Sequence, residues 1–340
     1  MALVPAHGGD LVGFAKLVGC RVDEVIDLSS NINFLKPNMG LDFNAIEPYA
    51  YPNYEALAEQ IAHHYGALPS ELELFNGATV AIHSLFRHLN LKRVMLYAPL
   101  YGEYRRAAEI YGYKVTLVNR FESMEETEIV PNALVVFVNP STPDGDYYEL
   151  LNLLKRWEEA GCTVLVDESF LEFTPHPSMI KHLSAHNRLY VLKSMTKFYG
   201  AAGIRVGGLF SWAKNIASLH AKEPLWKLST FDAHYIQSAL EDSFFPKLSR
   251  IVLEENREAL ISLLSGFEWV EKIYPSSANY LLIKLQKINA FDLQEYLMLY
   301  KIMVRNCANF DFLDQYHVRI AIKERELMSR LEEALCEISI

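Results

Sequence analysis

Apolar and polar positions along this chain fall into blocks. Near-continuous apolar runs occupy residues 94–98, 134–138, 163–166, 188–192 and 207–211. Runs of this kind, unbroken by polar residues at alternate positions, predict strands covered on both faces, as in a parallel sheet. Between them lie stretches with helical spacing. Leu57, Ile61, Ala62 and Tyr65 form one, ended by Gly66, and Ile82, Leu85, Phe86 and Leu89 form another. Residues 147–160 read as the crossover helix between the runs at 134–138 and 163–166. A helix at 11–17 precedes a short strand near 25–28. Beyond Gly208 the alternation gives way to long helices, the clearest at 245–264. Strands at 279–285, 302–305 and 317–322 follow, with helices at 290–299 and 323–338. The expected fold is α/β, in three parts. Residues 1–45 form an N-terminal arm, 46–242 a large domain with a mostly parallel sheet, and 243–340 a smaller α/β domain.

The polar residues that close the apolar runs change the picture from architecture to chemistry, because α/β enzymes place ligands at the carboxyl ends of parallel strands. The run at 134–138 ends in Asn139-Pro140, and that at 163–166 ends in Asp167-Glu168-Ser169-Phe170. A carboxylate after four apolar residues needs a partner, since burying it alone is costly. The run at 188–192 leads into Ser194-Met195-Thr196-Lys197 and then Gly200, Gly203, Arg205, Gly207 and Gly208. Lys197 is placed for Schiff-base chemistry, which requires an amine partly deprotonated by burial or nearby cations. Ser194 and Arg205 can bind an anion beside it, and the glycines let backbone approach a flat ligand. The same segment also reads as a glycine-rich loop carrying a surface lysine.

Composition narrows the classes. The 340 residues are 51% hydrophobic, enough for a large and a small core, and the net charge of −10 argues against a nucleic-acid surface. Any anion site must therefore be a local pocket. Four cysteines without paired spacing and eleven histidines without ligand spacing predict neither disulfides nor a metal centre. No apolar run is long enough to span a membrane and no secretory h-region is present, so a cytoplasmic enzyme is expected.

The S-x-x-K segment with an arginine eight residues after the lysine resembles the lysine segment of the fold-type I aminotransferase superfamily. That resemblance implies pyridoxal 5'-phosphate (PLP) as cofactor, linked to Lys197, with Asp167 pairing the ring nitrogen and Asn139 donating to the ring oxygen. It implies a phosphate seat at Gly77, Ala78 and Thr79, in Asn76-Gly77-Ala78-Thr79, together with Ser194 and Arg205. Tyr101 of Pro99-Leu100-Tyr101 would stack on the ring, with Tyr104 as the alternative. Tyr51 of Tyr51-Pro52 would cross a dimer interface to the partner's phosphate, giving a homodimer with shared sites. Each of these residues also has an ordinary reading as turn, cap or core. Arg305 and Arg319, set among apolar residues, would bind a substrate carboxylate or phosphate, or else form structural ion pairs.

His7-Gly8-Gly9, Asp27-Leu28-Ser29-Ser30-Asn31 and Phe170 narrow the resemblance to one branch, the L-threonine-O-3-phosphate decarboxylases of cobalamin (cobamide) biosynthesis. The sequence departs from that branch at Asp10, where Asn is usual, and at Phe34, where Pro is usual. In the branch the arm closes over the site, so His7, Gly8 and Asn31 would touch substrate. The implied reaction is decarboxylation of an amino acid O-phosphate, phosphothreonine or phosphoserine. Its rival is a histidinol-phosphate aminotransferase, and a binding protein that merely kept the fold is the reading from another class.

Overall fold

The structure is a computed structural model that describes residues 8–122 and 124–338. Seven strands build the large sheet: β1 (Leu72–Phe75), β2 (Arg93–Ala98), β3 (Lys114–Asn119), β4 (Leu134–Val138), β5 (Thr163–Asp167), β6 (Leu189–Ser194) and β7 (Gly207–Ser211). Their spatial order is β1-β7-β6-β5-β4-β2-β3. Neighbours from β6 to β3 pair in parallel, while β7 runs antiparallel to β6 and β1. The unbroken apolar runs have the expected cause. Leu134, Val136 and Val138 pack into a core on one face of the sheet, and Val135 and Phe137 into a core on the other. The chain steps outward from β2 to β3 and then returns to place β4 on the other side of β2. That reversal opens a crevice at the carboxyl ends of β2 and β4, where doubly wound sheets hold ligands.

Four helices matter to the site. They are α1 (Ala78–Leu89), α2 (Glu103–Ile110), the single turn α3 (Met195–Phe198) and the long α4 (Phe245–Ser265). After α4 comes a four-stranded antiparallel sheet in the order β10-β11-β9-β8. Its strands are β8 (Val270–Ile273), β9 (Tyr280–Leu285), β10 (Arg305–Asn306) and β11 (His317–Ala321). The expected strand at 302–305 divides in two, because Ile302–Met303 pairs in parallel with Ile26–Asp27 while Arg305 turns to β11. The N-terminal segment is thereby tied to the smaller sheet. The crossover helix starts later than its apolar spacing suggests, at Leu151. The Tyr148 N–H donates instead to the Asn139 side chain at 2.9 Å, which holds that stretch out of the helix. Among the described residues no helix is long and apolar enough to cross a membrane.

Candidate active site

The carboxyl ends of β4, β5 and β6, the start of α1 and the N-terminal segment wall a cavity of about 510 Å³. Ala78, Thr79, Tyr101, Asp167, Ser194, Lys197 and Arg205 line it on the side of the large sheet. Gly8, Asn31, Arg305 and Arg319 close the other side. Residues scattered from 8 to 319 thus meet in one place, because strand ends and one helix start all point there. His7 lies outside the described residues.

One end is built for an anion. The turn into α1 passes through Gly77 at φ +82°, a conformation that side-chain-bearing residues rarely adopt, and α1 has no side-chain cap. Its first-turn N–H groups are therefore left to bind a ligand, at the positive end of the helix dipole. The Arg205 guanidinium occupies the space beside Gly77, where a Cβ would lie 2.5 Å from Nη2. Ser194 and Thr196 complete this corner, their hydroxyls 2.9 Å apart. Thr196 was not singled out in the sequence, since nothing in its apolar surroundings marks it.

Asp167 lies at the floor, 4% exposed. Its Oδ1 accepts from the Ser169 N–H at 2.9 Å and the Ser169 hydroxyl at 2.5 Å, and its Oδ2 accepts from the Tyr104 hydroxyl at 2.7 Å. Burial pushes this carboxyl upward, against the pull of its donors and of Lys197. Tyr104, the sequence's alternative stacking ring, is instead fully buried beneath the aspartate. Tyr101 holds the position on the cavity wall, its hydroxyl 3.5 Å from that of Thr79.

Lys197 follows one helical turn after β6. Burial first, then the charges of Arg319 and Arg205, bring its ammonium down to about 8. The depressed value suits an amine that must lose and regain a proton near neutrality.

The far end carries the small-sheet arginines. Arg319 on β11 is 7% exposed, lies over the Tyr280 ring, and donates to the Ser29 carbonyl at 2.8 Å and the Thr142 hydroxyl at 3.2 Å. Among the described residues its Nε and the Oδ1 of buried Asn31 have no hydrogen-bond partner. Arg305 reaches Asn309 Oδ1 at 2.7 Å, and burial lowers its guanidinium to about 10. Arg105 on α2, not anticipated from the sequence, also lines the wall and pairs with Asp311 at 2.6 Å. Five cations thus face two carboxylates in a chain whose net charge is −10. The cavity is a local anion trap.

Two of the expected residues lie off the wall of this cavity. Asn139 is not on the cavity wall; its amide donates to the Tyr148 carbonyl and accepts from the Tyr148 N–H, both at 2.9 Å. It braces the loop after β4 with its oxygen and one of its two N–H groups. Tyr51 lies away from the cavity of its own chain, 77% exposed and stacked on Trp226 at 4.3 Å. Phe170 does line the cavity.

The donor set fits PLP. A phosphate has the α1 N-terminus, Thr79, Ser194 and Arg205; a protonated ring nitrogen has Asp167; an aldehyde has the Lys197 amine; a flat ring has Tyr101. The unpaired atoms of Asn31 and Arg319 remain for a second molecule, as buried polar groups seldom go unmatched.

Comparison with known proteins agrees with this geometry. The model of the family described as aminotransferase class I and II matches residues 24–335. The threonine-phosphate decarboxylase of Salmonella typhimurium is 28% identical over 97% of this chain and 95% of its own length. The adenosylcobalamin biosynthesis bifunctional protein CobDQ of Leptospira interrogans is 29% identical over 98% of the chain, which spans 41% of that longer protein. Among solved structures, the histidinol-phosphate aminotransferase of Sinorhizobium meliloti in complex with PLP superposes with a TM-score of 0.81. It covers 99% of this chain and 97% of its own, at 17% identity.

Proposed function

The chain belongs to the aminotransferase class I and II family and uses PLP, and from that premise we propose that it decarboxylates an amino acid O-phosphate, L-threonine O-3-phosphate foremost. The observation that carries this reading is the set of cations on the cavity wall beyond the cofactor's donors. Arg305, Arg319 and Arg105 line the rest of the cavity, with the unpaired Oδ1 of Asn31 and Nε of Arg319. A substrate with a carboxylate and a phosphate offers two anions to those cations. Near-full-length similarity to a threonine-phosphate decarboxylase supports the same choice.

Bound at Lys197, PLP supplies an electron sink conjugated to the substrate's Cα. The chain's own groups do the rest. Arg205 and the α1 N–H groups hold the cofactor phosphate, so little motion remains at that end. Asp167 would accept a hydrogen bond from the protonated ring nitrogen and so keep the proton on the ring. Arg319 and Arg305 hold the substrate's anionic groups and orient the Cα–carboxylate bond. The Lys197 amine, near neutrality by burial and by its cationic neighbours, carries a proton to Cα after CO2 leaves. Phe170 presents a ring with no hydroxyl on this wall. The N-terminal segment is held by the Gly9 N–H donating to Ser29 Oγ at 2.8 Å, beside the substrate end of the cavity. We place the enzyme in the cytoplasm as a homodimer in which Tyr51, exposed beside Trp226, reaches the partner's phosphate seat. The division at residues 45/46 and 242/243 into arm, large and small domains is part of the same proposal.

A second reading is transamination of a histidinol phosphate-like amine, whose phosphate the same arginines can hold. The deciding experiment incubates the PLP-loaded protein with phosphothreonine, phosphoserine and histidinol phosphate plus 2-oxoglutarate. Release of CO2 with the matching amine phosphate supports decarboxylation. Glutamate formation without CO2 would replace it with the aminotransferase.

A further inference from the structure

We infer that Tyr104 and Ser169 are positioning residues that leave Asp167 one open lone pair, on Oδ2, and so fix where the cofactor's ring nitrogen must sit. A carboxylate oxygen accepts about two hydrogen bonds. Oδ1 of Asp167 has both, from the Ser169 N–H at 2.9 Å and hydroxyl at 2.5 Å. Oδ2 has one, from Tyr104 at 2.7 Å. Among the described residues' bonds, the remaining direction on Oδ2 is the only one left to a ring nitrogen.

The donors are themselves immobile. Tyr104 is 0% exposed and its ring packs in the core with Phe75, Leu96 and Leu165. Ser169 is 8% exposed and follows the aspartate by two residues, so its N–H and hydroxyl form a closed local turn around Oδ1. The two clamps come from different elements, α2 and the loop after β5, and cannot shift together. The titratable groups facing Asp167 are Tyr104 and Tyr101 from the segment after β2 and Lys197 from the segment after β6. Of these, only Lys197 is a cation, and substrate chemistry requires its amine to give up that charge. The hydroxyl donors therefore hold the carboxylate ionised when Lys197 is neutral, against a burial that pushes it toward the protonated form.

The inference rests on the cofactor and not on the choice between decarboxylation and transamination, so product analysis and the following test fail separately. Removing a donor to a carboxylate raises its affinity for a proton. Holoenzymes of the natural protein, Tyr104→Phe, Ser169→Ala and Ser169→Thr, loaded with PLP carrying nitrogen-15 in its ring, are titrated from pH 8 to 5 and the ring-nitrogen chemical shift is followed by NMR. Tyr104→Phe and Ser169→Ala are expected to match the natural protein at pH 8 but to lose the carboxylate-bonded, protonated ring-nitrogen signal at a pH about one unit higher than the natural protein. Ser169→Thr, which keeps the hydroxyl, should follow the natural protein. An unmoved acid limb in Ser169→Ala, or a Ser169→Thr protein that behaves like it, overturns the inference. Should Tyr104→Phe not fold, the Ser169 pair decides alone. A ring-nitrogen shift altered equally at every pH would make both residues mere packing and also overturns it.

Discussion

Lys193 is the last residue but one of β6 and Lys197 lies four residues later, and their surroundings treat the two ammonium groups in opposite ways. Lys193, 1% exposed, points to the face of the sheet away from the cavity. There it pairs with Glu168 at 2.8 Å and Glu172 at 3.2 Å and lies over the Tyr65 ring at 4.6 Å. Burial works against its charge, but the two glutamates outweigh that and its pKa is raised. Glu172 correspondingly drops to about 2, its own burial outweighed by Lys193 and His64. Lys197 has burial and no carboxylate within pairing distance among the described residues; its nearest influences are two arginines. Its pKa falls to about 8. A buried lysine is thus structural when acids complete it and chemical when cations crowd it.

The largest test of that contrast is Lys197→Ala. Turnover should fall on the order of 10⁴-fold or more, since both the covalent attachment and the proton carrier are lost. The folded protein should persist, and borohydride reduction should leave no PLP mass on the chain. Retained covalent PLP would move the chemistry to another lysine. Lys193→Met should do the reverse. Glu168 and Glu172 would remain buried without their cation, at a cost of about 3–5 kcal/mol in unfolding free energy measured by denaturant. Turnover per folded, PLP-bound molecule should stay within about threefold. Stability equal to the natural protein would show that the acids are satisfied by other donors, such as Ser178 and the Met179 N–H on Glu168.

The contrast could not be read from the sequence. Both lysines sit in one short polar stretch, and Glu172 lies 21 residues from Lys193 along the chain. Only the alternation of strand faces separates them, and the end of β6 is too short a signal to phase. What the sequence does carry is the apolar run: β2, β4, β5, β6 and β7 all lie where such runs end in polar residues, and Asp167, Ser194 and Lys197 come with them. By contrast β1, Leu-Glu-Leu-Phe, and β3, Lys-Val-Thr-Leu-Val-Asn, are short or edge strands whose polar residues blur the run. The donor roles of Tyr104 and Ser169 escaped notice because a donor to a buried acid looks like any core tyrosine or turn serine. Asn139 has a second task that its sequence position does not reveal: its place after β4 suits a ligand donor, while the following loop takes its oxygen and one N–H.

Asp167→Asn tests the acid on the chemical side. The amide keeps the shape but cannot hold a proton on the ring nitrogen, so kcat should fall on the order of 10²-fold. PLP affinity, supported by the phosphate seat and Lys197, should change less than about tenfold. An unchanged kcat would reduce Asp167 to a structural carboxylate held by Tyr104 and Ser169.

The smallest expected effect separates the two causes of the Lys197 shift. An amine attacks an aldehyde only in its neutral form, so protein stripped of PLP should take it up faster as pH rises toward about 8 and level off above it. Below that point the rate should fall about tenfold per pH unit, since a tenfold smaller fraction of the amine is neutral. Arg319→Gln removes the larger of the two cationic influences but leaves the burial, which ranks first. Loss of a neighbouring positive charge makes protonation easier, so the midpoint should move upward. Because burial remains, the move should be less than about one pH unit, whereas the KM for the phosphorylated substrate should rise much further. A midpoint that climbs to the ordinary lysine range would mean that charge, not burial, keeps Lys197 neutral. An unmoved midpoint would mean that Arg319 is too well spent on Ser29 and Thr142 to be felt at the amine. In that case the contrast with Lys193 would rest on the two glutamates alone.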